Sequence, residues 1–176
     1  MAKSNPGNAG FHAWNSRMAS TSVLFVCLGN ICRSPLAEGV FTHLAFQRGE
    51  AALYRVDSAG ISGWHSGEGP DRRSVKVAAA HGIDISRQQS RQVKPQDFAA
   101  FDLILAMDRD NLAILKSKAP ADLAARVHLF NALAVGQDMD VPDPYYGGPE
   151  GFEAVYSMLD SGCSALLAKL ADARAS

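Results

Sequence analysis

An apolar, β-branched run that stops at a cysteine is the feature that most constrains how this chain folds. Residues 23–26 have the composition of a buried strand, and Cys27 follows them directly. A short loop then leads to Ser34 and Pro35, where a helical pattern begins. A strand that enters a tight loop and a helix N-terminus directs backbone N–H groups and the positive end of a helix dipole at one spot. We therefore predict an oxyanion-binding loop whose positive field favours the thiolate form of Cys27.

This loop contains the residue types that are needed to wrap around a tetrahedral anion. Gly29 and Asn30 tolerate left-handed backbone conformations at low cost. Arg33 follows Cys27 by six positions, so a closed loop brings its planar guanidinium over the anion, where it can hold two oxygens at once. The Ser34 hydroxyl could donate a hydrogen bond to the Cys27 sulfur. With Cys27 as the nucleophile, the predicted anion-binding set is Leu28, Gly29, Asn30, Ile31, Cys32, Arg33 and Ser34.

Other interpretations of Cys27 explain less of the pattern. A lone cysteine after an apolar strand is usually a small buried residue, but this one precedes a glycine, an arginine and a helix start. Cys27 and Cys32 have Cys-x4-Cys spacing, yet no Cys-x2-Cys pair follows, and Cys163 falls in a predicted helix. No Gly-x4-Gly-Lys-Ser/Thr motif of a nucleotide-binding loop occurs. We therefore predict neither a metal site nor a nucleotide loop.

A second candidate for chemistry lies in residues 141–148, far along the chain. Asp143 stands between two prolines, which stiffen the backbone on both sides and would aim its carboxyl group. Beside a bound phosphate dianion this carboxyl would stay protonated and could serve as a general acid. Tyr145 and Tyr146 could line a slot for a flat substrate ring. Read alone, the same residues are also those of an ordinary surface turn.

Strand-like and helix-like segments alternate along the rest of the chain. This alternation predicts a single-domain, three-layer α/β/α fold with a four-stranded parallel sheet. The functional site of such folds lies at the carboxyl ends of the strands, which is where the Cys27 loop falls. The predicted strands are residues 23–26, 54–57, 103–107 and 127–129. The predicted helices are residues 35–48, residues 70–81 with Asp71 as a cap, a helix capped by Asp108, and residues 149–170 after a long loop.

Length and composition agree with one globular domain. The chain has 176 residues, of which 47% are hydrophobic, and its net charge of −1 gives no bias toward nucleic acid or a membrane. Three cysteines, an odd number, argue against a secreted disulfide framework. Residues 1–20 are rich in Gly, Asn, Ser and Ala and lack the apolar stretch of a secretory signal. We therefore predict a flexible extension over residues 1–20 and a domain over residues 21–176. A monomer in the cytoplasm is expected, and export by a route that needs no signal is the alternative.

The motifs together resemble the low-molecular-weight protein tyrosine phosphatase family. The resemblance rests on the Cys27-x5-Arg33-Ser34 loop and on Asp143-Pro144-Tyr145-Tyr146-Gly147. Between them, the segments at residues 56–60, 81–83 and 101–108 are also similar, so the likeness extends over about residues 21–173. The family implies phosphotyrosine-bearing proteins or peptides as substrates, and inorganic phosphate or other oxyanions as product or inhibitors. It implies no metal or organic cofactor.

The resemblance also implies roles for individual residues. Cys27 would form a cysteinyl-phosphate, Arg33 would clamp the phosphoryl oxygens, and Asp143 would act first as acid and then as base. Asn30 would brace the loop, supported by Ser58 and His81, although a histidine before a glycine often only ends a helix.

Two further roles implied by the family concern redox chemistry and substrate contact. Cys32 could form a reversible disulfide with Cys27 that protects it from deeper oxidation. Trp64 would stack on the substrate ring opposite Tyr145, and the alternative is a partly buried surface aromatic.

Three other functions are considered. An arsenate reductase would need further cysteines to carry a disulfide outward, and only Cys163 lies downstream. By resemblance, a phosphoarginine phosphatase would carry threonine where Ile31 stands. A silent phosphotyrosine-binding module would be expected to have lost Cys27 or Asp143, and this chain has both.

Overall fold

The structure, a computed structural model, describes residues 20–176 and contains a four-stranded, fully parallel sheet. The first strand in sequence lies between the second and the third, and the fourth lies at the edge beside the third. Cys27 pairs with Gly60, and Val26 pairs with Ala106, so the carboxyl ends of three strands meet at one edge. The predicted fold class and strand number are confirmed. The strands are β1 (Thr21–Cys27), β2 (Tyr54–Gly60), β3 (Leu103–Ala106) and β4 (Val127–Leu129).

Helices cover both faces of this sheet. Two short helices, Asp97–Ala100 and Phe130–Val135, were not predicted, because each is too brief to show a helical period. The second of them lies in what was expected to be a long loop. The last helix runs five residues beyond its predicted end at residue 170. The helices are α1 (Arg33–Gln47), α2 (Arg72–Ala80), α3 (Asp97–Ala100), α4 (Arg109–Lys118), α5 (Phe130–Val135) and α6 (Pro149–Ala175). Within residues 20–176, none of the helices is both long and apolar enough to span a membrane.

The central strand β1 is buried along its whole length because it packs against two separate cores. Val23 and Phe25 face one core, which includes side chains of α1, α2, α5 and α6. Leu24 and Val26 face the other core, to which α3 and α4 contribute. A strand covered on both faces reads as a continuous apolar run, which explains the pattern of residues 23–26.

Two aspartates start helices as predicted. The Asp71 carboxylate accepts a hydrogen bond from the Arg73 N–H at 2.8 Å, and the Asp108 carboxylate accepts one from the Asn111 N–H at 2.8 Å. Both caps lie near the carboxyl edge of the sheet, where the two loops of interest also meet. The predicted flexible extension lies, except for Ser20, outside the described residues, so the proposed domain boundary stays a prediction.

Candidate active site

Cys27 is the last residue of β1 and begins a tight loop, residues 27–34, which we call the cysteine loop. The thiol is buried, with its Sγ 3.0 Å from the Ser34 Oγ in the first turn of α1. Gly60, the partner of Cys27 in β2, lies so close to the loop that an added Cβ would come within 3.0 Å of the Leu28 carbonyl oxygen. The central and neighbouring strands thus fix where the cysteine loop leaves the sheet.

Asn30 holds the cysteine loop from behind. Its φ of 55° lies in the left-handed region, which is costly for most residues and cheaper for asparagine. Its amide nitrogen donates to the Ser34 Oγ at 2.8 Å and to the Ser58 Oγ at 3.0 Å. Its side-chain oxygen accepts from the Arg91 backbone N–H at 3.0 Å. The buried Asn30 side chain therefore uses both ends of its amide to keep the loop closed.

A partly buried carboxyl group extends this network. The Ser58 hydroxyl donates to the Glu38 carboxylate at 2.6 Å, which links α1 to β2 behind the loop. Burial, with the charge of Asp57 adding to it, raises the pKa of Glu38 to about 7, although the Ser58 hydrogen bond and Arg91 act in the opposite direction. Sequence reasoning missed Glu38. Its position four residues after Ser34, on the same helix face, is the signal that could have found it.

Arg33 is buried beneath the pocket and is held by acceptors from two other parts of the chain. Its Nη1 donates to the Asp108 carboxylate at 2.6 Å and to the Val141 carbonyl at 3.0 Å. Burial opposes the charged form, but the negative charges of Cys27, Asp108 and Asp143 outweigh burial and raise the pKa of Arg33. Asp108 therefore both caps α4 and orients the Arg33 guanidinium. The sequence predicted mainly the capping role.

Asp143 lies in the segment of residues 142–148, which is exposed except at Pro144 and Gly148 and which we call the aspartate loop. One carboxylate oxygen, Oδ1, accepts a hydrogen bond from the Tyr145 N–H at 3.1 Å. The other, Oδ2, lies 3.6 Å from the Arg33 Nη2. The aspartate loop thus brings its carboxylate over the cysteine loop, although more than 100 residues separate the two in sequence.

The two loops enclose a pocket of about 180 Å³. Three exposed aromatic side chains, Trp64, Tyr145 and Tyr146, stand at its mouth, and His65, which sequence reasoning missed, also lines it. Asn30 and Ser34, predicted as anion-binding residues, do not line the pocket with their side chains but hold the loop from behind. The remaining lining residues are Cys27, Leu28, Gly29, Ile31, Cys32, Arg33 and Asp143.

The expected contact between His81 and Asn30 is wrong. His81 ends α2, where its Nε2 hydrogen-bonds the Glu153 carboxylate at 2.7 Å and its ring stacks on Tyr156 with centroids 3.7 Å apart. The side chain therefore ties the end of α2 to α6. His81 lies at the end of α2 and before Gly82, in agreement with the alternative that a histidine before a glycine marks a helix end.

All three cysteines lie within the described residues and are free thiols. Burial, assisted by the charge of Asp71, raises the pKa of Cys32 to about 12. Burial also raises the pKa of Cys163, which lies in the core on α6. Across residues 20–176, no three His, Cys, Asp or Glu side chains are grouped as ligands of a metal ion.

Fold and pocket define a class: a parallel α/β protein with a cysteine, an arginine and an aspartate at the carboxyl edge of its sheet. The family described as low molecular weight phosphotyrosine protein phosphatase matches residues 22–176. The chain therefore belongs to this family and is an enzyme of the protein-tyrosine-phosphatase class.

Comparison with individual relatives supports this family assignment. The chain is 44% identical over 150 residues to the low molecular weight protein-tyrosine-phosphatase of Streptomyces coelicolor, covering 83% of this chain and 91% of that one. It is 42% identical over 156 residues to the low molecular weight phosphotyrosine protein phosphatase of Homo sapiens, covering 88% of this chain and 98% of that one. A crystal structure of protein tyrosine phosphatase from Entamoeba histolytica with Hepes in the active site superposes with a TM-score of 0.83 at 38% identity, covering 87% of this chain and 98% of that one.

Proposed function

We propose that the chain hydrolyses phosphotyrosine in proteins through a cysteinyl-phosphate intermediate. The observation that carries this proposal is that Cys27, Arg33 and Asp143 line one pocket although they come from different parts of the chain. Each has a distinct chemical role: nucleophile, phosphoryl clamp and general acid. The relatives above, which carry the name of tyrosine phosphatases, support the same substrate class.

In the first step, the Cys27 thiolate attacks phosphorus and forms an S–P bond while the P–O bond to the tyrosine ring breaks. The leaving phenolate takes a proton from Asp143. Charge on the equatorial phosphoryl oxygens is stabilised by Arg33 and by the backbone N–H groups of the loop at the α1 N-terminus. Asp108 and Val141 hold Nη1 of Arg33, so the guanidinium is already oriented before substrate arrives.

In the second step, water attacks the phosphorus of the cysteinyl-phosphate. Asp143, now a carboxylate, accepts a proton from this water, the S–P bond breaks, and inorganic phosphate and the Cys27 thiolate are released. The Ser34 Oγ, 3.0 Å from the sulfur, is placed to stabilise the thiolate as it leaves. Phosphate and other oxyanions are expected to inhibit, because the product occupies the same loop.

The mouth of the pocket favours a phosphorylated aromatic ring. Tyr145 and Tyr146 pack edge to face with centroids 4.9 Å apart, and exposed Trp64 also lines the pocket, so aromatic surface is available for the ring. Phosphoproteins and phosphopeptides are therefore the proposed substrates. The free thiols of Cys27, Cys32 and Cys163 support a location in the reducing cytoplasm.

The structure offers the competing functions little support. An arsenate reductase would have to pass a disulfide outward, but Cys163 is fully buried in α6. Ile31 lines the pocket and gives it an apolar wall, which suits an aromatic ring better than a phosphorylated guanidinium. A binding module would have no use for a carboxylate aimed at the pocket.

The test is a single-turnover measurement with Asp143→Asn of the release of the leaving phenol, from a phosphotyrosine peptide and from an activated aryl phosphate. A poor leaving group needs its proton more, so the variant should slow the peptide by at least about tenfold more than the activated ester. Cys27→Ser should turn over neither substrate yet still bind inorganic phosphate. Equal slowing of both substrates by Asp143→Asn would refute the general-acid role, and turnover by Cys27→Ser would refute the mechanism.

A further inference from the structure

An ion pair at the start of α2 lies between the cysteine loop and the aspartate loop. The Asp71 carboxylate accepts hydrogen bonds from the Arg73 Nε at 3.0 Å and from its Nη2 at 2.9 Å. The same carboxylate caps α2 through the Arg73 backbone N–H. This two-point pairing fixes the plane of the guanidinium and leaves Nη1 directed elsewhere.

The Nη1 of Arg73 reaches the aspartate loop. It donates to the Tyr145 carbonyl oxygen at 2.9 Å, and the guanidinium carbon lies 5.4 Å from the centre of the Tyr145 ring. The guanidinium also lies over Phe152 in the first turns of α6, 4.5 Å from the ring centre. Arg73 therefore contacts the backbone and the side chain of the same loop residue and the helix that follows the loop.

Tyr145 connects this contact to Asp143. Arg73 holds the Tyr145 carbonyl, while the Tyr145 N–H donates to Oδ1 of the Asp143 carboxylate at 3.1 Å. With Oδ1 occupied in this way, Oδ2 is the oxygen that faces Arg33 and the pocket. Displacement of Tyr145 would move the oxygen that carries the proton in the proposed reaction.

The start of α2 also holds the cysteine loop. The Asp71 backbone N–H donates to the Ile31 carbonyl at 2.8 Å, and the Ser74 hydroxyl donates to the Cys32 carbonyl at 3.2 Å. Two carbonyls of the cysteine loop and one carbonyl of the aspartate loop are thus bound by three residues within a single turn of helix. This segment sets the separation of the two loops.

We propose that Arg73 is a positioning residue for the phosphatase reaction: it aligns Asp143 with the cysteine loop by holding Tyr145 against the start of α2. The inference rests on the proposed role of Asp143 as the general acid. The rate of proton transfer depends steeply on the placement of the acid, so a small displacement of a catalytic group lowers the rate strongly. Loss of Arg73 should therefore slow the step that needs the proton.

The experiment compares Arg73→Met with Arg72→Met by single-turnover kinetics on the two substrates used above. Arg72 is the neighbouring residue on α2; it is exposed and makes no side-chain hydrogen bond or ion pair among residues 20–176. At saturating substrate, Arg73→Met should slow the phosphotyrosine peptide by about tenfold and the activated ester by less than about threefold. Arg72→Met should change both rates by less than about twofold. Arg73→Lys should recover only part of the loss, because an ammonium cannot pair with Asp71 at two points and also reach Tyr145.

A combined variant separates this inference from the general-acid assignment. If Arg73 acts through Asp143, then Arg73→Met should add less than about twofold on top of Asp143→Asn. A full additional loss in the double variant, or equal slowing of both substrates by Arg73→Met, overturns the inference. Absence of a leaving-group effect in Asp143→Asn overturns the general-acid role and the inference with it. Should Arg73→Met not fold, the same leaving-group comparison on Arg73→Lys decides the question.

Discussion

The two loops that meet over the pocket are built in opposite ways. In the cysteine loop, Cys27, Asn30 and Arg33 are each only 2% exposed, and their side chains are bonded to β2, α1 and the start of α4. In the aspartate loop, the Asp143 side chain is 43% exposed and Tyr146 is 96% exposed. The aspartate loop has an internal turn, and Arg73 contacts it from α2.

The difference follows from what each loop must do in the proposed reaction. A binding site for a dianion is most effective when its dipoles are fixed beforehand and shielded from water, because they then need no reorganisation during the reaction. A general acid must exchange protons with water, and its loop must admit a protein substrate. The buried network of the first loop and the few contacts of the second match these requirements.

The largest effect should come from changing the arginine of the cysteine loop. Arg33→Lys keeps the positive charge but loses the planar fork, so it should lower kcat/KM for a phosphotyrosine peptide by a hundredfold or more, equivalent to about 3 kcal/mol. Arg87→Lys, at an exposed position, is the matched control and should have nearly normal activity. Steady-state kinetics on both variants give the comparison. A near-normal Arg33→Lys would mean that preorganised donors in the buried loop are not what sets the rate.

The second prediction compares the stability of the two loops. Asn30→Ala removes three hydrogen bonds and puts alanine at a φ of 55°, so it should lower the free energy of unfolding by about 3 kcal/mol. Asn30→Gly loses the same bonds without the backbone strain and should be less destabilised by about 1 kcal/mol. Tyr146→Ala, in the aspartate loop, should stay within about 0.5 kcal/mol of the wild type. Urea denaturation measures all three, and similar losses for Asn30→Ala and Tyr146→Ala would remove the contrast between the loops.

What the sequence could predict differs between the two regions. The cysteine loop is contiguous, so the spacing of Cys27, Asn30, Arg33 and Ser34 carries its geometry, and the expected Cys27–Ser34 contact is present. Three residues outside the loop also support it: Glu38, Arg91 and Asp108. Their positions near the loop depend on the orientation of a helix and on where strands end, which a linear motif does not encode. The contact predicted for His81 was wrong because α2 turns this residue toward α6. Arg73 has no local signature at all, since its partner Tyr145 lies 72 positions away.

The smallest expected effect concerns Glu38, the partly buried carboxyl group behind the cysteine loop. The pKa of Glu38 is raised from 4.5 to about 7, chiefly by burial, so between these pH values the folded protein binds this proton more tightly than the unfolded chain. The stability that Glu38 contributes is therefore fully present below about pH 4.5 and is lost as the pH rises through 7.

Glu38→Gln does not titrate and keeps an acceptor for the Ser58 hydroxyl, so it isolates this proton. Its free energy of unfolding should rise relative to that of the wild type as the pH rises from 5 to 8, with the difference between the two changing by on the order of 2 kcal/mol. Asp122→Asn, which replaces an exposed carboxylate, is the control and should run parallel to the wild type. If the stability curves of the wild type and Glu38→Gln run parallel, then Glu38 does not titrate between pH 5 and 8. A divergence would place a pH-sensitive group behind the buried loop, bonded through Ser58 and Asn30 to the hydroxyl that contacts Cys27.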